Sequence, residues 1–215
     1  MRFASRATIV ALGFGWALLL ATNGAFAQGP ADGDGKVVAA REAARALALK
    51  ALAKIDSGQV AEGIALLEQA EASFHAPTHL LYLAQAHASM GHAARAAQTY
   101  DTLVREELPN YAPDEFREAE RIGRVELRAV ESKVGRIKLV LIGAPDGAKP
   151  TVRLDGASVP IAADVLYAEP GPREVEVTIG EQTRKARVTA RAGQEDSLLF
   201  EVGAVEPRVR QGDVG

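Results

Sequence analysis

Apolar residues follow two different periods along this chain. In the first, Phe116, Ala119, Gly123, Leu127, Val130 and Val134 recur at three- and four-residue spacing. That is one face of an amphipathic helix over 113–134. Asp114 is its candidate N-cap, and Glu120 and Arg124 stand as an i,i+4 pair on the opposite face. In the second, Val175, Val177 and Ile179 alternate with Glu174, Glu176 and Thr178, and Ala186, Val188 and Ala190 alternate with Lys185, Arg187 and Thr189. Period two predicts half-buried antiparallel strands, here linked by Gly180-Glu181-Gln182.

Upstream of 113 the pattern is a repeat. Gly58, Gly63, Leu67 and Ala70 recur 33 residues later as Gly91, Ala96, Tyr100 and Leu103. Each block reads as helix, tight turn, helix, over 37–56 and 60–74, then 78–90 and 93–107. The glycines suit a left-handed residue just past a helix end, and the small Gly63 and Ala96 suit close approach of antiparallel helices. A period of this length with paired helices predicts a solenoid-type array, with 113–134 as its capping helix. Downstream, 136–142 opens a strand region. Val152-Arg153-Leu154 meets a hairpin turn at Asp155-Gly156, and Leu198, Phe200 and Val202 close it. Six or seven short strands make a small antiparallel sandwich. The fold class is therefore α+β as two separate domains: helical hairpins with a capping helix over 36–134, and a β-sandwich over 135–202.

Composition supports that division. There are 20 alanines between 36 and 106 and only one proline there, Pro77, whereas 135–202 holds 16 β-branched residues. The ends read differently. Arg2 and Arg6, an uncharged run from Thr8 to Ala21, and Ala25-Phe26-Ala27 form a cleavable export leader over 1–27. The run is short for a transmembrane span. Residues 28–35 read as a Gly/Pro/Asp linker and 203–215 as a disordered tail. The protein is then periplasmic or secreted, with no membrane insertion after cleavage. Removing the leader takes net charge from −3 to −5, which offers no basic field for nucleic acid. The absence of cysteine removes disulfides, thiolate metal sites and cysteine nucleophiles.

Leu80, Leu83, Ala84, His87, Gly91, Ala96, Tyr100 and Leu103 resemble the tetratricopeptide-repeat pattern, with His87 in place of the usual Tyr and Leu103 in place of the usual Ala. The resemblance covers about 40–106. It implies a concave groove for a protein or peptide segment, with Leu47, Lys54, His79, Tyr82, Gln85 and His87 as lining candidates. Two repeats are few, so the capping helix or a second protomer must cover the open side. In the second half, Gly135-Arg136-Ile137-Lys138-Leu139, Pro145, Val152-x-Leu154-Asp155-Gly156, Pro160, Pro170-Gly171-x-Arg173 and Gly193 resemble a PEGA domain, a short β-sandwich of bacterial surface proteins. Arg173 replaces the family's His. That resemblance implies a structural or adhesive role without chemistry.

The chemistry-bearing residues point the same way. His75 and His79 have a metal-binding spacing, but Pro77 between them starts a helix rather than continuing one. No metal or cofactor is expected. Arg117, Arg121, Arg124 and Arg128 form a stripe crowded by Glu118, Glu120, Glu126 and Glu131, a salt-laced solvent face. No nucleophile–base, P-loop or zincin motif occurs in 28–215. The expectation is a non-enzymatic envelope protein that binds another protein through its helical half. The alternative is a sandwich that binds wall polymer, although only Tyr167 and Phe200 are available as rings there.

Overall fold

The computed structural model describes residues 34–144, 149–159 and 165–201. The leader over 1–27, most of the 28–35 linker, the tail and the positions Pro145, Pro160 and Val202 lie outside the described residues. Among the described residues five helices come first: α1 (Asp34–Asp56), α2 (Val60–Ser73), α3 (Pro77–Ser89), α4 (Ala93–Arg105) and α5 (Asp114–Glu131). Seven strands follow: β1 (Gly135–Ile142), β2 (Thr151–Leu154), β3 (Ala157–Val159), β4 (Val165–Ala168), β5 (Gly171–Ile179), β6 (Gln182–Ala190) and β7 (Glu195–Glu201). Among the described residues no helix is long and apolar enough to cross a membrane.

The repeat phase fixes the helical packing. Gly58 and Gly91 both take positive φ, at 81° and 77°, and each lets the chain double back after a helix. α1 packs on α2, α3 on α4, and α5 on both α3 and α4. Gly63 sits where α2 touches α1: a Cβ there would lie 2.5 Å from Ile55 Cγ1 and 3.0 Å from the Ala51 carbonyl oxygen. Ala84, Ala96, Tyr100 and Leu103, which carry the repeat pattern, are all buried in the core. Leu83 of α3 crosses to the first hairpin, joining Ala51 and Leu67.

Helix ends depart from the spacing by a few residues. α1 starts at Asp34, so Asp34 and Gly35 belong to the helix rather than to the 28–35 linker. α5 stops at Glu131, short of 134. Val134 is buried beyond it, and its carbonyl accepts the Gly193 N–H at 2.8 Å.

The strands form two sheets, in orders β4-β1-β7 and β3-β2-β5-β6. Ile137, Leu139, Leu166 and Phe200 from one sheet and Val152, Val175 and Val177 from the other share a single apolar core. The Asp155-Gly156 turn forms as expected, with φ of 51° and 82°, the paired positive values of a type I′ hairpin. One expectation fails: the sandwich is mixed, not wholly antiparallel, because β1 and β7 run parallel. The turn after β6 is hydrogen-bonded to the Val134–Arg136 segment, with Arg136 N–H donating to the Gln194 carbonyl at 2.8 Å. β7 therefore starts where β1 starts and must run alongside it.

The halves expected to be separate domains share an interface. Val165 and Tyr167 of β4 pack with the cluster of α3, α4 and α5, while Leu166 and Ala168 face the sheet core. The Tyr167 hydroxyl donates to Glu131 at 3.1 Å, with Asp101 at 3.4 Å. α4 has no side-chain cap from His92. Its N-terminus is capped across the interface, where the Glu169 carboxylate accepts the Ala94 N–H at 2.8 Å, a favourable place for an anion.

Gly63→Ala is expected to destabilise the chain by about 1–3 kcal/mol through overpacking against Ala51 and Ile55. Gly35→Ala, with open space around it, is expected to be neutral or stabilising by up to about 1 kcal/mol. Urea unfolding followed at 222 nm checks both, and equal effects would contradict the packing argument.

Candidate functional site

The α2–α3 corner is built on one carboxylate. Glu71 accepts the Ala76 N–H at 3.1 Å, receives the His75 ring, and lies 3.3 Å from His79 Nδ1. His75 also reaches Glu106 at the end of α4, at 3.0 Å. Burial raises the Glu71 pKa, but the nearby His79 and the hydrogen bonds from His75 and Ala76 outweigh it and hold it below the usual range. Burial opposes the charge on His75, yet Glu71 and Glu106 raise its pKa overall. His75 and His79 thus meet on a carboxylate. Among the described residues no group of three or more His, Asp or Glu is placed to hold a metal.

A second carboxylate ties three helices. Glu126 of α5 accepts the Tyr100 hydroxyl and the Gln85 amide, the latter at 3.1 and 3.2 Å. Burial first, then Glu126, pushes the Tyr100 pKa up. Tyr167 is raised in the same way, by burial and by Asp101 and Glu131. Neither phenol is poised to give up a proton. On the outer face of α5, Arg121 pairs with Glu118 at 2.6 Å and Arg124 with Glu120, so this part of the arginine stripe is salt-laced.

The six groove candidates do not gather on one open surface. Leu47 is half-buried on α1. Lys54 is engaged within its own hairpin, at 2.9 Å from Gln59 and 2.8 Å from Glu62. His79 is buried on Glu71, Tyr82 packs half-buried against the first-hairpin core, and Gln85 is held by Glu126. Of the six, His87 alone lines the cleft described next.

That cleft lies between the α3–α4 hairpin and the β2–β3 hairpin and encloses about 640 Å³. α4 contributes Arg95, Gln98 and Thr99; the other wall is Asp155, Ser158 and Arg173. Arg173 is fixed by Asp155 at 3.0 Å and by the carbonyls of Glu169 and Pro170 at 2.8 and 3.2 Å. Asp155 also accepts the Glu174 N–H at 2.9 Å. These bonds pin the β2–β3 hairpin to the β4–β5 turn and to the start of β5. His87 and His92 meet at the α3–α4 turn with tilted rings, their centroids 5.9 Å apart. Burial, then Arg95 and His92, lowers the His87 pKa to about 4, so its ring is neutral at pH 7.

Two buried groups here have no hydrogen-bond partner among the described residues: His87 Nδ1, and both amide atoms of Gln98. Each residue is only 6% exposed. An orphaned buried amide is costly and calls for a reason. Sequence reasoning missed this cleft. One signal was present: Gln98 and Asp101 are polar residues at a buried phase of a helix. The other wall was not legible, because nothing local shows that the β2–β3 hairpin returns to α4.

Comparison with protein-family models, curated proteins and solved structures finds no match to this chain.

The histidines set a pH dependence. Unfolded His87 takes a proton near pH 6.5, whereas the folded residue takes one only near pH 4. Acidification through that window therefore favours unfolding. His75 works in the opposite sense: its raised pKa gives stability that is fully present below pH 6.5 and is lost as pH rises through the folded value. Urea midpoints are expected to fall less between pH 6.5 and 4.5 in His87→Gln than in wild type. The gap between wild type and His75→Ala is expected to be largest near pH 6 and to shrink in alkali. Parallel pH profiles for all three proteins would contradict this.

Proposed function

We propose that the chain is a non-enzymatic, exported envelope protein that binds a segment of another protein, using a tetratricopeptide-like helical array braced by a PEGA-like sandwich. The observation that carries this reading is the cleft. Its walls are tied by the Glu169 cap on α4 and the Arg173–Asp155 bond, and its lining holds polar groups with no partner among the described residues. Pockets of this kind favour the junction of two structural units. The repeat residues support the helical assignment, since Ala84, Ala96 and Tyr100 all serve as packing positions between paired helices. The titratable groups support a non-catalytic role. Glu71, Glu126 and Glu131 are each taken up by bonds that join helices to one another or to β4. The export leader rests on the sequence of residues 1–27.

The polymer-binding alternative gains nothing from the sandwich. Tyr167 and Phe200, its two rings, are both buried, and neither offers a face on which a sugar could stack.

Residues 28–215, immobilised and exposed to envelope extract with a zero-length cross-linker, are expected to capture a discrete protein whose cross-links fall on α3, α4 or the β2–β3 hairpin. Retention of wall fragments alone, or cross-links confined to β6 and β7, would overturn the reading.

A further inference from the structure

The cleft says more about its occupant than that it is a protein. Its charges are mostly spoken for. Glu169 caps α4, and Arg173 and Asp155 hold each other. Arg95 is exposed and forms no ion pair among the described residues. It stands one helical turn before Gln98 on the same wall. Gln98 makes no hydrogen bond through its amide among the described residues, so turning that amide into the cleft breaks none of their bonds.

The opposite wall is a strand edge. Among the described residues β3 is the outer strand of its sheet, paired with β2 alone. All three of its residues, Ala157, Ser158 and Val159, line the cleft. Successive side chains point to opposite faces of a sheet, so three in a row means that the edge, not a face, is presented. Leu154 and Ala157 flank the two-residue turn, and such a closing pair is hydrogen-bonded. The pairing alternates along an antiparallel ladder. The N–H and C=O of Ser158 therefore point away from β2, towards the cleft.

An extended peptide matches both walls at once. In a strand the N–H and C=O of one residue point to one side, and those of the next residue to the other. One residue can pair with Ser158 while its neighbour meets the Gln98 amide, which supplies both a donor and an acceptor. From these walls we infer that the cleft takes an extended peptide segment bearing an acidic side chain, added as a strand to the β3 edge, with its backbone read by Gln98 and its acid paired with Arg95. This rests on the protein-segment reading above and gives it a place and a chemistry. A small free carboxylate would satisfy Arg95 but leave the Ser158 edge unused.

The test is selection of random octapeptides on the full 28–215 chain, followed by anisotropy titration of a labelled selected peptide. Enriched sequences are expected to carry Asp or Glu and to lack proline beside it. Affinity is expected to fall at least about tenfold in Gln98→Leu, the equivalent of losing two ordinary hydrogen bonds. Arg95→Glu is expected to weaken binding most at low salt. Methylating one backbone nitrogen of the peptide is expected to weaken it as well. Gln98→Leu removes an orphaned amide, so its thermal transition is expected to stay level or rise, which separates lost binding from lost folding. Selected peptides that bind both variants as tightly as wild type would overturn this site while leaving the segment-binding reading standing. No enrichment at all would overturn both. Displacement of the peptide by millimolar succinate with equal occupancy would reassign the cleft to small carboxylates.

Discussion

Strand β4 is covered on both faces, and the placement of the sheets against α3, α4 and α5 follows from that. Its side chains alternate, as in any strand. Leu166 and Ala168 complete the core between the sheets, while Val165 and Tyr167 enter the core of α3, α4 and α5. A phenol cannot be buried there unless its hydroxyl is satisfied. Glu131 and Asp101 do this, from the end of α5 and the middle of α4. Asp101 is itself buried and is held by Arg105 at 2.7 Å. A charged group in that place would be costly without such partners. The apolar burial and the polar bonds thus require each other, and together they fix the sheets against the helices.

The consequences run outward from that contact. With β4 in place, the chain just beyond it carries Glu169 to the N-terminus of α4, which has no cap of its own. The next turn carries Arg173 to Asp155, locking the β2–β3 hairpin. One wall of the cleft is then a helix capped from the other half, and the opposite wall is a hairpin pinned to β5. Such a space does not collapse to satisfy Gln98 and His87, because each wall is held by bonds that closing it would break. Rigid walls with unsatisfied groups are a form of preorganisation for a ligand.

Much of the architecture was legible in the sequence. The glycine repeat placed the helical turns, period two placed β5 and β6, and Asp155-Gly156 placed its hairpin. These signals are local: each depends on backbone preferences within a few residues. The errors come from contacts between distant segments. α5 ends before 134 because the turn after β6 takes the Val134 carbonyl, although the Val134 side chain still packs in the helical core. The parallel pairing of β1 and β7 follows from that same turn. β4 itself had a signal in the unbroken apolar run Val165-Leu166-Tyr167-Ala168, the mark of a strand covered on both sides. The site was the least legible part. Of the groove candidates read from the repeat phase, His87 lines the cleft, while Lys54, His79, Tyr82 and Gln85 are engaged within the helical half. Gln98, Arg95 and Ser158 become a set only when the second half folds back on α4.

The central claim is that the two halves form one cooperative unit through Tyr167. Native-state hydrogen exchange on residues 28–215, comparing wild type with Tyr167→Phe, tests it most directly. The account predicts that amides of α4, α5, β1 and β4 open with one shared free energy in wild type. It also predicts that loss of the hydroxyl lowers that value in both halves together, by about 0.5–1.5 kcal/mol. Separate opening energies for helices and strands, with the substitution felt only around β4, would contradict it.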